Sequence, residues 1–243
     1  MKRLKLKRFL QEPSQCAIAA CTSVANFYDP KIDYELVKIT AEDIADGPVD
    51  SGLDTGEIGM LLNDLGFKNV KVVISKTEWF DYTWDKMKMT ELIKNLKKVR
   101  RNLKCPNGLS VKSIIKFLSR EGCNNRIVID FRYGDYIRDA IDRGLPVILA
   151  YSWTTYFGFV KYNPSNGCPD PVNGDEEEHA VVICGYDKNG VDILDSHFQN
   201  YKYRLKKYQS GRYKMTWEDL MAVASEITIP EKFSPKLEKY ELV

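Results

Sequence analysis

Three side chains far apart in the chain, Cys16, His179 and Asp195, have the types needed for nucleophilic attack on a carbonyl carbon. Cys16 lies near the start of an expected helix, where unpaired N–H groups and the helix dipole favour an anion. A thiol there has a lowered pKa, and the thiolate is the attacking species. His179 is one of two histidines and opens the apolar run HAVVICGY; Asp195 closes the following run in VDILDSH. The intervening Asp187-Lys188-Asn189-Gly190 is a hairpin signal, and a ladder pairing positions that sum to about 374 sets His179 opposite Asp195 or one residue from it. A carboxylate so placed fixes the tautomer and orientation of an imidazole that serves a thiol. Gln11, five residues before Cys16, and Gln15, next to it, each offer an amide that can donate to an oxyanion beside the Cys16 N–H. Each residue also has a plain structural explanation: core packing for Cys16, a turn for Asp195, a polar surface for the glutamines. His197, two residues past Asp195, is the rival base, but the strand-start position favours His179.

The elements that must position these groups follow from periodicity. Ala17, Ile18, Ala20, Cys21, Val24, Ala25 and Phe27 form a broad apolar face at helical spacing, with Ser14 as expected N-cap and Asp29-Pro30 as the stop. Further helices are expected over 34–44, 54–65, 110–120, 135–142 and 216–224. The third starts at the capping-box pair Asp54/Glu57 and the last at Thr216. Strands are expected over 70–74, 126–131, 146–151, 179–186, 191–195, 201–205 and 226–229. Helices dominate the first half and strands the last third, an α+β pattern.

With 243 residues, 44% of them apolar and 29% charged, the chain can bury a sizeable core without disulfides or metals. Its net charge of +2 gives no general argument for nucleic acid or membrane as partner. No apolar run approaches the roughly 20 residues that cross a bilayer. The basic start MKRLKLKRFLQEPSQC has no apolar stretch of a signal peptide, so a cytoplasmic location is expected. The six cysteines (Cys16, Cys21, Cys105, Cys123, Cys168 and Cys184) form no CxxC pair, and no metal or cofactor is expected. Residues 76–120 hold 12 basic against 4 acidic residues, which reads as a solvated helix face ahead of a partner-binding patch. Asp175-Glu176-Glu177-Glu178 reads first as a solvated loop and second as a means of steering a basic substrate. Trp153, Tyr156, Phe157 and Phe159 either fill the core or line a groove.

Gln11, Cys16 at a helix start, and a distant His-Ala-Val-Val-x-x-Gly-Tyr-Asp followed by a strand ending in Asp resemble the papain-like cysteine peptidases, closest to the C39-like branch. The likeness covers about residues 9–28 and 176–197, with the 50–55 loop and Gly66-Phe67 also similar; residues 76–150 match poorly. The resemblance implies a two-lobed α+β fold in a single domain over 1–243. A helical lobe (about 9–145, with the basic insert 76–120) would carry Cys16, and an antiparallel-sheet lobe (about 146–230) would carry His179 and Asp195. It implies peptidase or amidase action on a peptide or amide substrate through Cys16, His179, Asp195 and Gln11 by way of a thioester. Two departures are Ala17, where the family has Gly or Trp, and the five-residue Gln11 spacing, commonly six. Glu12-Pro13-x-x-Cys16 also resembles phytochelatin synthases, which implies acyl or dipeptidyl transfer as the alternative. An inactive binding module of the same fold is the third reading.

Overall fold

The computed structural model describes residues 2–50, 52–75, 79–103, 107–163, 165–197 and 210–235. In chain order, its elements begin with β1 (Lys2–Arg3), α1 (Cys16–Tyr28), α2 (Tyr34–Ala45), α3 (Thr55–Asp64) and β2 (Phe67–Ile74). After a single 3₁₀ turn come α4 (Met89–Asn102), α5 (Asn107–Leu118), β3 (Arg126–Ile129), α6 (Tyr133–Asp142), β4 (Val147–Ser152) and α7 (Trp153–Phe157). The chain continues through β5 (Glu178–Asp187), β6 (Gly190–Leu194), β7 (Arg212–Thr216), α8 (Trp217–Val223) and β8 (Ala224–Phe233). The expected strand 201–205 lies outside the described residues.

Seven strands line up as β3-β2-β8-β4-β5-β6-β7, and β1 adds to β5. All pairs are antiparallel except β2 with β3. Side chains alternate across a strand, and here the two faces feed two cores. Val72, Ile74, Ile148, Ala180 and Val182 pack with α1 to α5 on one face. Val73, Leu149, Val181, Ile183 and Ile227 pack with α6 and α8 on the other. The α+β class expected from the sequence is therefore present. In detail the sheet is not confined to the last third: β2 and β3, both expected as strands, come from the part assigned to the helical lobe (about 9–145). The reason lies in FKNVKVVI, whose Val72, Val73 and Ile74 are all buried because both faces of β2 are covered.

Local chemistry explains most boundaries. Asp54 accepts from the Glu57 N–H while Glu57 returns a bond to the Asp54 N–H, closing the capping box at the head of α3. Thr216 caps α8 through the Asp219 N–H. Helix α4 buries only Leu92 and Leu96, four residues apart, and its lysines and arginines face solvent. Ser14 is not the cap of α1: it adopts the left-handed region (φ 61°), Gln15 holds the cap position without a side-chain bond, and the helix begins at Cys16. Pro13 makes that turn tight, with the Gln15 N–H bonded to the Glu12 carbonyl.

Candidate active site

Cys16 is the first residue of α1 and partly buried. Its Sγ accepts the Ala180 N–H of β5 at 3.4 Å, so the thiol of the first helix sits directly on the strand that carries His179. The His179 side chain is buried, and its Nε2 lies 2.9 Å from Asp195 Oδ1. That leaves Nδ1 for the side-chain hydrogen bond with Cys16. Asp195, 1% exposed, also accepts the His197 N–H at Oδ1 (2.8 Å) and the Tyr213 hydroxyl at Oδ2 (3.2 Å). The Tyr213 hydroxyl in turn meets that of Tyr151 at 3.2 Å. Every acceptor position of the buried carboxylate that these donors reach is used, as burial demands.

The register behind the His–Asp contact differs from the expected one. Tyr186 pairs with Val191, and after a bulge between Ile183 and Gly185 the ladder runs Ile183↔Ile193 and Val182↔Leu194. Continued onward, it would face Asp195 with Val181 rather than with His179. The offset is two residues, and two residues along a strand return to the same face. The side chains therefore still meet, diagonally and just beyond the end of β6.

Three rings box the imidazole: Tyr151 edge-on at 5.9 Å, Trp153 tilted at 5.9 Å and His197 edge-on at 5.9 Å. His197 itself lies against Trp153 at 5.1 Å and donates its backbone N–H to Asp195. His179 and Asp195 are both shielded from solvent, which strengthens the interaction between them. Burial opposes a charged imidazole, but the Asp195 carboxylate and the Cys16 sulfur outweigh it and raise the His179 pKa to about 10. Burial likewise raises the Cys16 pKa, yet the imidazole and the Ala180 and Ala17 N–H groups more than offset it, and the thiol lies below its ordinary value. The pair favours thiolate and imidazolium. Cys21, by contrast, is fully buried and pushed well up. Cys184 is buried and Cys168 exposed; Cys105 lies outside the described residues.

The two glutamines are both buried and both anchored by their amide oxygens. Gln11 Oε1 accepts the Ser196 hydroxyl at 2.8 Å, and Gln15 Oε1 accepts the Tyr34 hydroxyl at 2.9 Å. Holding the oxygen sets the direction of each NH₂ group. The acidic run is pinned down: Glu176 accepts from Ser152 (2.6 Å) and Thr155 (3.3 Å) at the head of α7, and the Glu177 N–H bonds Thr154 Oγ1. Of the aromatic quartet, Trp153 reaches the imidazole, Phe157 is in the core and Phe159 is exposed. Sequence reasoning missed Tyr151, Tyr213, Ser196 and Tyr34. Tyr151 alone had a usable signal, since it ends the apolar strand that pairs with the one opened by His179.

A helix-start cysteine beside a buried imidazole, on an α+β fold with a mixed sheet, is an arrangement that can form a nucleophilic thiolate. Residues 124–225, the part of the chain that carries His179 and Asp195, match the model of the Peptidase_C39 like family. The match also takes in residues 124–150, where the sequence showed no likeness. No curated protein matches the chain. Among solved structures it is similar to xylellain, a cysteine protease from Xylella fastidiosa (17% identity, TM-score 0.49, covering 96% of this chain and 86% of that one). It is also similar to a double glycine motif protease from an AMS/PCAT transporter in complex with the leader peptide (12%, 0.43, 95% and 95%). A third is a C39-like peptidase from Bacillus anthracis (12%, 0.39, 96% and 100%). Among the described residues no helix is long and apolar enough to cross a membrane.

Proposed function

We propose that this chain cleaves a peptide or amide bond with Cys16 as nucleophile, His179 as acid and base, and Asp195 as the group that orients and charges the imidazole. The observation that carries the reading is the continuous path from the Cys16 sulfur through the His179 ring to Asp195 Oδ1. The thiolate attacks the carbonyl carbon, and the oxyanion is held by the Cys16 N–H with the amide of Gln11 or Gln15. The imidazolium gives its proton to the leaving nitrogen as the C–N bond breaks, which leaves a thioester. His179 then takes a proton from water, whose oxygen attacks the thioester carbon; the acid departs and the thiolate returns.

Iodoacetamide labelling followed by peptide mapping tests this reading. Cys16 should label far faster than Cys168, and His179→Ala should remove that advantage. Cys16→Ala should abolish turnover on any peptide or amide that the wild-type chain cleaves, with an unchanged melting temperature. Turnover surviving in Cys16→Ala overturns the assignment.

A further inference from the structure

The ladder that builds the hairpin stops at Leu194, and Asp195–His197 run on past its end. They are held instead by the segment ahead of Cys16. Arg8 Nε donates to the Asp195 carbonyl at 2.6 Å and Arg8 Nη2 to the His197 carbonyl at 2.7 Å. Between them the Ser196 carbonyl accepts the Gln11 N–H at 3.1 Å, and the Ser196 hydroxyl closes on Gln11 Oε1. Three consecutive carbonyls are thus bonded by residues 8 and 11. From the other side, the Asp195 N–H bonds the Gly211 carbonyl at 2.7 Å. Gly211 has φ +66°, and a Cβ on it would lie 2.1 Å from Arg8 Nε. The guanidinium fills the space where any other residue would carry its side chain.

We propose that Arg8 is a positioning residue, which fixes Asp195 toward His179 and Gln11 toward Cys16 at once by clamping the carbonyls on either side of Ser196. The proposal rests on the Cys16–His179–Asp195 reading above. The planar fork suits this geometry, because Nε and Nη2 reach two acceptors from one rigid group, whereas the donors of a lysine ammonium radiate from one nitrogen and do not reproduce that spacing. Past the end of β6 the Asp195 backbone is held by Arg8 at its carbonyl and by Gly211 at its N–H, so releasing the clamp loosens the segment that aims the carboxylate at His179. Among the described residues, Cys16, Asp195, Tyr151, Trp153 and His197 face the imidazole, with Tyr213 behind the carboxylate. Of these only Asp195 is a fixed anion, and Arg8 touches only its backbone.

The test is the pH profile of Cys16 alkylation by iodoacetamide in the full chain, for wild type, Arg8→Ala, Arg8→Lys and Asp195→Ala. In Arg8→Ala the acid limb should move up by about one unit, so that labelling at pH 6 falls about tenfold. Asp195→Ala should do the same, the double variant no more, and added guanidinium ion should restore Arg8→Ala but not Asp195→Ala. Arg8→Lys should follow Arg8→Ala, and it is the deciding variant should Arg8→Ala fail to fold. A wild-type profile in Arg8→Lys, or in folded Arg8→Ala, overturns the proposal while Asp195→Ala still shifts. If neither Asp195→Ala nor His179→Ala shifts the profile, the underlying triad reading fails instead.

Discussion

At the scale of single residues the site is a contest between burial and charge. His179 is carried to about 10 chiefly because Asp195 outweighs desolvation, and Cys16 is lowered because the imidazole does the same for the thiolate. Turnover should therefore rise as pH climbs through the lowered Cys16 pKa and fall as it passes the His179 value near 10. Asp195→Asn removes the larger support for the imidazolium, so the alkaline limb should move to lower pH, with kcat/KM down by about 10²–10⁴. A pH–rate profile of both proteins checks the sign; an unmoved upper limb refutes it. The residues of this contest were legible because chemistry restricts them to few types and only two histidines exist. Tyr213 was not: it comes from β7, whose pairing to β6 no short-range pattern announces. Nor was the diagonal His–Asp geometry, since the bulge at Ile183/Gly185 leaves no mark in hydrophobic alternation.

Elements hold these residues by devices that differ in how visible they are. The Asp54/Glu57 box was readable from spacing, while the use of Asp54 Oδ1 as acceptor for Ser113 at 2.5 Å was not, because it depends on α5 lying across α3. Burial raises the Asp54 carboxyl to about 6. Its folded pKa thus exceeds its unfolded one, and the stabilisation is complete below the unfolded value near 4 and lost as pH rises through 6. Asn caps as well as Asp, whereas Ala costs about 1 kcal/mol. Asp54→Asn should therefore match wild type near pH 8 and lose its parity as the solution is acidified toward pH 4; Asp54→Ala should melt lower throughout. Thermal melts across pH decide it. The α3–α5 contact needs Gly56, where a Cβ would fall 2.2 Å from the Ser113 carbonyl carbon. Gly56→Ala should destabilise by about 1–3 kcal/mol through overpacking, measured by denaturant unfolding.

At the scale of the molecule one strand joins what the sequence appeared to divide. β8 lies between β2 and β4, pairing Val72 with Thr228 on one side and Ile148 with Thr228 on the other. Without it, β2–β3 and β4–β7 have no common ladder among the described residues. A chain ended after Val223 should lose cooperative melting and associate through its bare strand edges; a sharp monomeric transition would refute this. The two-lobe picture missed the link because Ala224–Phe233 reads as one more late strand, and only long-range pairing reveals that it spans both halves. Such pairing also orders events in time. On the ribosome Cys16 emerges well before His179, so the first helix waits for the strand on which it packs. So long as the proposed chemistry holds, a half-made chain is no threat to neighbouring polypeptides: the blade has no handle until β5 has been made.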